Sequence, residues 1–270
     1  GESVNSETSE SQSSSENLTD DAYTEGLQFK TLAQDAYYVS GYTGTETEVV
    51  IPAVYNGKKV TAIGRSAFGS NHILTKVIIG ANVASIGEEA FEYCDALTQV
   101  VMPSSVTQIQ YGAFQRCTAL TEITIPDGVL SIAGDTFSGC SALQKIMIGS
   151  GVAQIGTDVF KNCNQLTSVS VAEDNTTFAS QDGIIYNKEK TEFIHIPKKL
   201  TGEITIPNGI TKIAFGQYKP GTTYFFGCDS VTKITLPDSM KQIGNSAFEG
   251  CSALTEINLP QSITKIEFSA

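Results

Sequence analysis

The sequence predicts an α/β repeat solenoid with a 23-residue period, curved into a right-handed horseshoe or arc. Two observations carry this prediction. Phenylalanine recurs every 23 residues at Phe68, Phe91, Phe114, Phe137 and Phe160, and the same spacing separates Phe225 from Phe248. Each of these residues is followed three positions later by Cys or Asn and six positions later by Leu or Val. A unit this short cannot bury its apolar side alone, so its copies must stack.

The first half of each repeat, L-x-x-I-x-I-P, is predicted to be a short strand. In "LTEITIP" (120–126), Ile123 and Ile125 stand two positions apart, so their side chains face the same side. The Pro or Gly that follows ends the strand. Stacked copies of this strand are expected to pair in parallel and to form one continuous sheet on the concave side.

The second half, V-x-x-I-G-x-x-A-F-x-x-C, has a different period. In "VASIGEEAFEYC" (83–94) the apolar residues recur at intervals of three and four. This spacing is typical of helical structure. We therefore expect short helical or 3-10 turns on the convex side.

The chain is predicted to have two regions. Residues 1–26 contain seven acidic residues and no Lys or Arg, so they carry seven of the twelve net negative charges of the chain. We expect a disordered, acidic, Ser-rich linker there, because so few apolar residues cannot offset the entropy lost on ordering. Residues 27–270 are expected to form the repeat domain, with an N-terminal cap and first repeat at 27–62. The C-terminus is expected to stop partway through a repeat, at "ITKIEFSA".

An irregular repeat is predicted at 172–203. From Val171 to Ile206 the count is 35 residues, which is one 23-residue period plus 12. Within this repeat, "GIIYN" is expected to pair with "EFIHI" as an antiparallel hairpin around a turn at 188–191.

The repeat resembles a known family. "IGEEAFEYCDALTQVVMPSSV" (86–106) and "IGNSAFEGCSALTEINLPQSI" (243–263) are similar to the BspA-like (Treponema-type) leucine-rich repeat of bacterial surface proteins. The resemblance covers 37–270 and includes the first turn and the hairpin insert, although Gln110 and Ala214 replace the Gly that follows Ile. It implies a non-catalytic binding module for adhesion to host proteins, glycans or other bacteria. It also implies an extracellular location, either attached to the cell surface as a lipoprotein or wall-anchored protein, or secreted.

The six cysteines are predicted to be free and buried. Cysteines one repeat apart would lie on neighbouring rungs, roughly 5 Å apart, with parallel side chains. A disulfide instead needs the two Cβ atoms turned toward each other. Asn71 holds the same position in the first copy, which indicates that this column meets buried backbone groups.

Neither catalysis nor a cofactor is predicted. His72 and His195 are the two histidines of the chain, and both are expected on irregular surface turns. The sequence has no G-x-S-x-G, no phosphate-binding Gly-rich loop and no C-x-x-C metal motif. Glu173, Asp174 and Asp182 lack calcium-loop spacing and are interpreted as a solvated acidic turn.

The charge of −12 argues against nucleic acid and anionic membrane surfaces as partners. No run of 18 apolar residues occurs, so membrane attachment would need an anchor outside this chain. We expect a protein or glycan partner, with host extracellular matrix as one candidate. A structural spacer that presents another domain is the alternative function.

The candidate binding residues face outward between the buried strand residues. One column contains Ile78, Val101, Thr124 and Met147, and its neighbour contains Lys76, Gln99, Glu122 and Lys145. The apolar members of the first column favour a contact patch. The alternative explanation, which the sequence favours somewhat more, is that strands prefer β-branched side chains on either face. The second column alternates in charge and is expected to form weak surface pairs.

Overall fold

The computed structural model describes residues 22–33, 35–213 and 225–270. These residues form a β-solenoid in which a regular repeat contributes two short strands and a set of turns. Most of the predicted linker, as well as Ala214, lies outside the described residues. Within the described ranges the structure contains no helix, so the second half of the repeat differs from its prediction.

The first strand of each repeat comes from the phrase L-x-x-I-x-I-P, as predicted, and pairs in parallel with its copies. These strands are Glu48–Val50, Lys76–Ile78 and Gln99–Val101, then Glu122–Ile125, Lys145–Ile148 and Ser168–Val171, then Thr201–Thr205, Ser230–Thr235 and Glu256–Ile257. They form three hydrogen-bonded groups of three rather than the single continuous sheet that the sequence predicts. The second and third groups are separated by the strands of the irregular repeat.

The second strand comes from V-x-x-I-G, where the sequence predicts a helical turn. The second strands are Lys58–Ile63, Ser85–Ile86, Gln108–Ile109, Ser131–Ile132 and Gln154–Ile155, and later Lys212–Ile213, Gln242–Ile243 and Lys265–Ile266. They also pair in parallel, with Ile86, Ile109 and Ile132 in register. In the spacing V-x-x-I, the Val faces inward from the turn and the Ile faces inward from the short strand that follows, as Val83 and Ile86 do.

The Phe segment forms turns because its backbone alternates in handedness. The residues two before and two after Phe91 are left-handed, with φ of 55° at Glu89 and 57° at Tyr93. Their N–H groups donate to Tyr111 O and Gln115 O of the next repeat, both at 2.9 Å. Between them, Phe91 N donates to Ala113 O of the same next repeat at 2.8 Å. Cys94 N instead donates to Phe91 O at 3.1 Å, which is the i→i+3 bond expected of a 3-10 turn. Because alternate N–H groups bond the next coil, no helix can continue.

The phenylalanine column forms the centre of the core, as the period predicts. From Phe68 to Phe160 the rings stack with centroids 4.9, 5.2, 5.7 and 6.4 Å apart and planes within 11° of parallel. Two apolar clusters make up the core, one spanning residues 39–185 and the other residues 184–247.

A three-stranded antiparallel sheet lies between the two clusters. Its strands are Phe178–Gln181, Ile184–Asn187 and Phe193–His195. The antiparallel pairing predicted within 182–197 is present, with Ile185 opposite His195 and Tyr186 opposite Phe193. The strand Phe178–Gln181 was not predicted. Ile185 packs in the first cluster whereas Ile184 and Tyr186 pack in the second, so one strand contributes to both cores.

The N-terminal coil is covered by a further hairpin. Leu27–Ala33 pairs antiparallel with Ala36–Tyr42. Ala36–Tyr42 in turn pairs in parallel with Lys58–Ile63. Val54–Tyr55 pairs antiparallel with the same strand. This hairpin gives the edge of the second-strand ladder a partner, which an open parallel edge would lack.

Candidate partner-binding surface

The predicted site residues lie on one surface, which we name the first-strand face. It consists of the outward side chains Ile78, Val101, Thr124, Met147, Lys76, Gln99, Glu122 and Lys145. The strand alternation that predicts it is clear in Glu122–Ile125, where Ile123 and Ile125 are buried and the intervening Thr124 is exposed. The period of two therefore places these columns on the predicted side of the strand.

The apolar column has two in-register pairs. Ile78 lies opposite Val101, and Thr124 lies opposite Met147. The column extends one rung further toward the N-terminus, because Val50 lies opposite Ile78. Val101 is 42% exposed and Met147 is 44% exposed, while Ile78 is partly covered. The structure thus leaves Val101 and Met147 in solvent on two first strands, with the strand that carries Thr124 between them.

The charged column forms surface pairs at two places. Lys76 Nζ lies 3.9 Å from Glu48 Oε2, and Lys233 Nζ lies 2.9 Å from Glu256 Oε1. The hydrogen bond from Lys233 to Glu256 raises the pKa of that lysine. Both pairs are largely open to solvent, so each contributes little to stability. The pair of Lys76 and Glu48 places both signs of charge beside the apolar column.

The cysteine column meets buried backbone groups, as predicted. Each inner thiol donates to the carbonyl of the Phe in the preceding repeat: Cys94 to Phe68, Cys117 to Phe91, Cys140 to Phe114, Cys163 to Phe137 and Cys251 to Phe225, at 3.1–3.2 Å. Asn71, at the same position in the first repeat, instead accepts from Ile73 N and Leu74 N at 3.1 and 3.0 Å. The thiols therefore give the Phe carbonyls a second donor, since Phe91 O, for example, also accepts from Cys94 N at 3.1 Å. Asn71 instead satisfies two amide groups of its own turn.

The thiols have environments that suppress their reactivity. All six cysteines are free, and five are buried. Removal from solvent raises the pKa of Cys94, Cys163 and Cys228 to about 12. The pKa values of Cys117 and Cys140 are also raised well above the ordinary value for the same reason. Because the thiolate is the nucleophile and the metal ligand, this column is suited to packing rather than chemistry.

His195 does not lie on a surface turn, so that prediction is wrong. Its ring packs against Phe160 with centroids 4.8 Å apart, at the end of the phenylalanine stack. Desolvation there lowers the pKa of His195 to about 4. His72 does lie on an exposed turn, with its Nδ1 3.1 Å from Asp95 Oδ1.

Asn175 is a buried polar residue that sequence reasoning missed. Its Nδ2 donates to Gly149 O at 3.0 Å and to Val152 O at 2.9 Å, and its Oδ1 accepts from Thr177 N and Phe178 N. The signal was present in the repeat, because Asn175 stands 23 residues after Val152 and the four preceding repeats have a buried Val at this position: Val83, Val106, Val129 and Val152. A polar residue at a core position of the repeat indicates a hydrogen-bond centre.

The acidic segment around Asn175 is solvated, as predicted, since Glu173, Asp174 and Asp182 are exposed. Across the described residues, no group of three or more His, Cys, Asp or Glu side chains is placed to hold a metal ion. Nor do those residues include a helix with the length and apolar character needed to cross a membrane.

Solved structures with the same fold come from several bacteria. The Treponema pallidum leucine rich repeat protein TpLRR is 23% identical, with a TM-score of 0.56, over 87% of this chain and 91% of that one. A leucine-rich repeat protein from Eubacterium ventriosum is 23% identical, with a TM-score of 0.59, over 90% of this chain and 66% of that one. The pneumococcal vaccine antigen PcpA is 21% identical, with a TM-score of 0.57, over 90% of this chain and 71% of that one. These likenesses show the fold.

No curated protein matches the chain. The family model for the BspA type leucine rich repeat region matches residues 61–191 and 197–270 with six copies. These matched residues hold the phenylalanine and cysteine columns and the whole first-strand face. The chain belongs to the BspA type leucine rich repeat family.

Proposed function

We propose that this chain is a non-catalytic binding module that acts outside the cell and attaches to a protein partner through the first-strand face. In this proposal the first-strand face lines the concave side of a right-handed arc. The domain is held at the cell surface as part of a lipoprotein or wall-anchored protein, or is secreted. The observation that carries the proposal is the solvent exposure of Val101 and Met147 on regular strands.

The energetics of this face favour a protein partner. Covering an aliphatic side chain of this size contributes about 1–3 kcal/mol when it is fully removed from water. The charged column beside it would steer the partner and fix its register rather than supply most of the affinity. A host extracellular matrix protein or a protein on another bacterium offers the extended surface that such a face can cover.

The proposal is tested by changing Val101→Lys together with Met147→Lys. Binding of the full chain to a panel of immobilised matrix proteins, including fibronectin, fibrinogen, laminin and collagen, is measured by surface plasmon resonance. Any interaction found should be lost in the double variant. The thermal midpoint should stay nearly unchanged, because neither side chain packs in the core.

The matched control is Leu130→Lys together with Ala153→Lys, which adds the same charge at two exposed positions of the second strands. This control should bind as the unaltered chain does. Equal loss in both variants would mean that charge alone disrupts binding. Retained binding in the first variant would place the partner site elsewhere, and absence of binding to every partner tested would favour the structural spacer.

A further inference from the structure

We propose that a second surface, the second-strand face, binds a neutral, extended polysaccharide along the solenoid axis. This face consists of three rows of residues that lie in, or directly beside, five successive second strands. The first row is Thr61, Ala84, Thr107, Leu130 and Ala153; the second is Ala62, Ser85, Gln108, Ser131 and Gln154; the third, in which Gly87 is buried, is Gly64, Gly87, Gln110, Ala133 and Gly156. The inference goes beyond the proposed protein-binding function and rests on different residues.

The absence of charge distinguishes this face from the other sides of the solenoid. None of its three rows contains Lys, Arg, Asp or Glu, in a chain with 29 acidic and 17 basic residues. The first-strand face carries Lys76, Glu122 and Lys145 over the same repeats. The turns carry Glu89 and Asp135 at left-handed positions. A neutral ligand suits the second-strand face, because no charged group has to be desolvated when it binds.

The residues of each row are evenly spaced along the solenoid, which suits a polymer ligand built from repeated units. Backbone bonds join successive members of the first row, with Ala84 N to Thr61 O at 2.9 Å, Thr107 N to Ala84 O at 2.9 Å and Leu130 N to Thr107 O at 3.3 Å. The second row is held in direct register from Ser85 to Gln154. With neighbouring rungs about 4.7–4.9 Å apart, five rungs give a surface about 19 Å long.

A sugar chain has C–H surfaces and hydroxyl groups, and two neighbouring rows offer apolar and polar groups that match them. The first row offers methyl and methylene groups, including Leu130, which is 62% exposed. The second row offers hydroxyl and amide groups, and both Gln108 and Gln154 are exposed. An extended sugar chain presents C–H surfaces on its ring faces and hydroxyls along its edges. An apolar row beside a polar row therefore provides packing and hydrogen bonds at the same time.

The flanking residues are consistent with the same ligand. Gln110 follows the strand Gln108–Ile109, and its Nε2 donates to Ser85 Oγ at 3.3 Å, which joins two rows. Tyr111 stands next to it, 46% exposed, with its hydroxyl donating to Asp135 Oδ2 at 2.8 Å. That hydrogen bond holds the aromatic ring at the margin of the face, where rings of sugars pack well.

The test is native affinity electrophoresis of the full chain in gels that contain hydroxyethylcellulose, galactomannan or polygalacturonate. The variant Gln108→Glu with Gln154→Glu keeps the shape of both side chains but adds charge and removes the amide donors. The matched control, Gln144→Glu with Gln165→Glu, makes the same change at two exposed glutamines that lie on neither face. Each mobility is divided by the mobility of the same variant in a gel without polysaccharide.

We expect one or both neutral polysaccharides to retard the unaltered chain and the control equally. The variant Gln108→Glu with Gln154→Glu should show an apparent affinity lower by at least about tenfold, since hydrogen bonds at two side chains are lost. No retardation by either neutral polysaccharide, equal weakening in both double variants, or stronger retardation by polygalacturonate would each overturn the inference. Because Val101 and Met147 are unchanged in these variants, the result is independent of protein binding.

Discussion

Within one coil, each inner Phe ring packs against the rings of the coils on both sides, while the Cys three residues later donates to a Phe carbonyl of the preceding repeat. Phe114 and Cys117 show the arrangement: the ring of Phe114 stacks 5.2 Å from Phe91, and the thiol of Cys117 lies 3.2 Å from Phe91 O. The ring stacking and the thiol hydrogen bond thus both join this coil to Phe91 of the preceding coil. One changed side chain is therefore expected to disturb more than its own coil.

His195 makes stability depend on pH in a specific window. Its pKa is lowered to about 4 in the folded chain, from an ordinary value of 6.5, because desolvation penalises the charged ring. The unfolded state therefore binds more protons between these values. The neutral ring of His195 therefore contributes to the free energy of unfolding in full above pH 6.5. This contribution, at most about 3 kcal/mol, is lost as the pH falls through about 4.

This prediction is measured as the urea midpoint between pH 3.5 and 7.5. The variant His195→Gln should show a flatter dependence below pH 6.5 than the unaltered chain. Comparing slopes rather than absolute midpoints separates titration from any packing loss at position 195. Parallel curves for the unaltered chain and His195→Gln would contradict the prediction.

Residue columns were predictable because the 23-residue period gives the same position seven times. The left-handed residues were not predictable, because the side chains there are diverse. Tyr93, Arg116 and Gly139 hold the same position two residues after Phe, and all three have positive φ. Glycine favours this conformation whereas Tyr and Arg do not, so the stacking contacts decide it rather than local preference.

At the scale of elements, the two strands of each repeat differ in how well the sequence predicts them. The first strand has an apolar residue at every second position, as in Ile123 and Ile125, and this period specifies both its structure and its outward columns. The second strand is only two residues long in most repeats. Its two inward residues are three apart because a turn intervenes, and that spacing imitates a helix. The second-strand face was missed for the same reason.

The sheet between the two cores depends on Asn175. This side chain is fully buried and makes four hydrogen bonds that join the irregular repeat to the preceding coil. The change Asn175→Asp keeps the size but replaces the donating amide with an oxygen that faces Gly149 O and Val152 O. Because two buried carbonyls lose their donor and a carboxyl group is buried, we expect a loss of about 3 kcal/mol.

The loss is measured by urea unfolding at neutral pH. Asn162→Asp makes the same chemical change at an exposed turn residue and should alter the midpoint little. If Asn175→Asp is no more destabilising than Asn162→Asp, the hydrogen bonds of Asn175 do not hold the two parts together.

At the scale of the whole molecule, each coil is stabilised by its neighbours rather than by a common centre. The first core cluster contains Phe68, Phe91, Phe114 and Phe137, whereas Phe225 lies in the second. In a stacked array of this kind, stability is approximately a sum of the terms within coils and between neighbouring coils. A local defect should therefore weaken adjacent coils strongly and distant coils weakly.

Hydrogen exchange of Phe114→Ala tests this claim most directly. Phe114 is fully buried, and removing its ring should cost about 3–5 kcal/mol. The account predicts faster exchange for amides of the coils that contain Phe91 and Phe137, with protection near Ile234 and Ile243 unchanged. A uniform loss of protection along the chain, or a loss confined to the coil of residue 114, would contradict it.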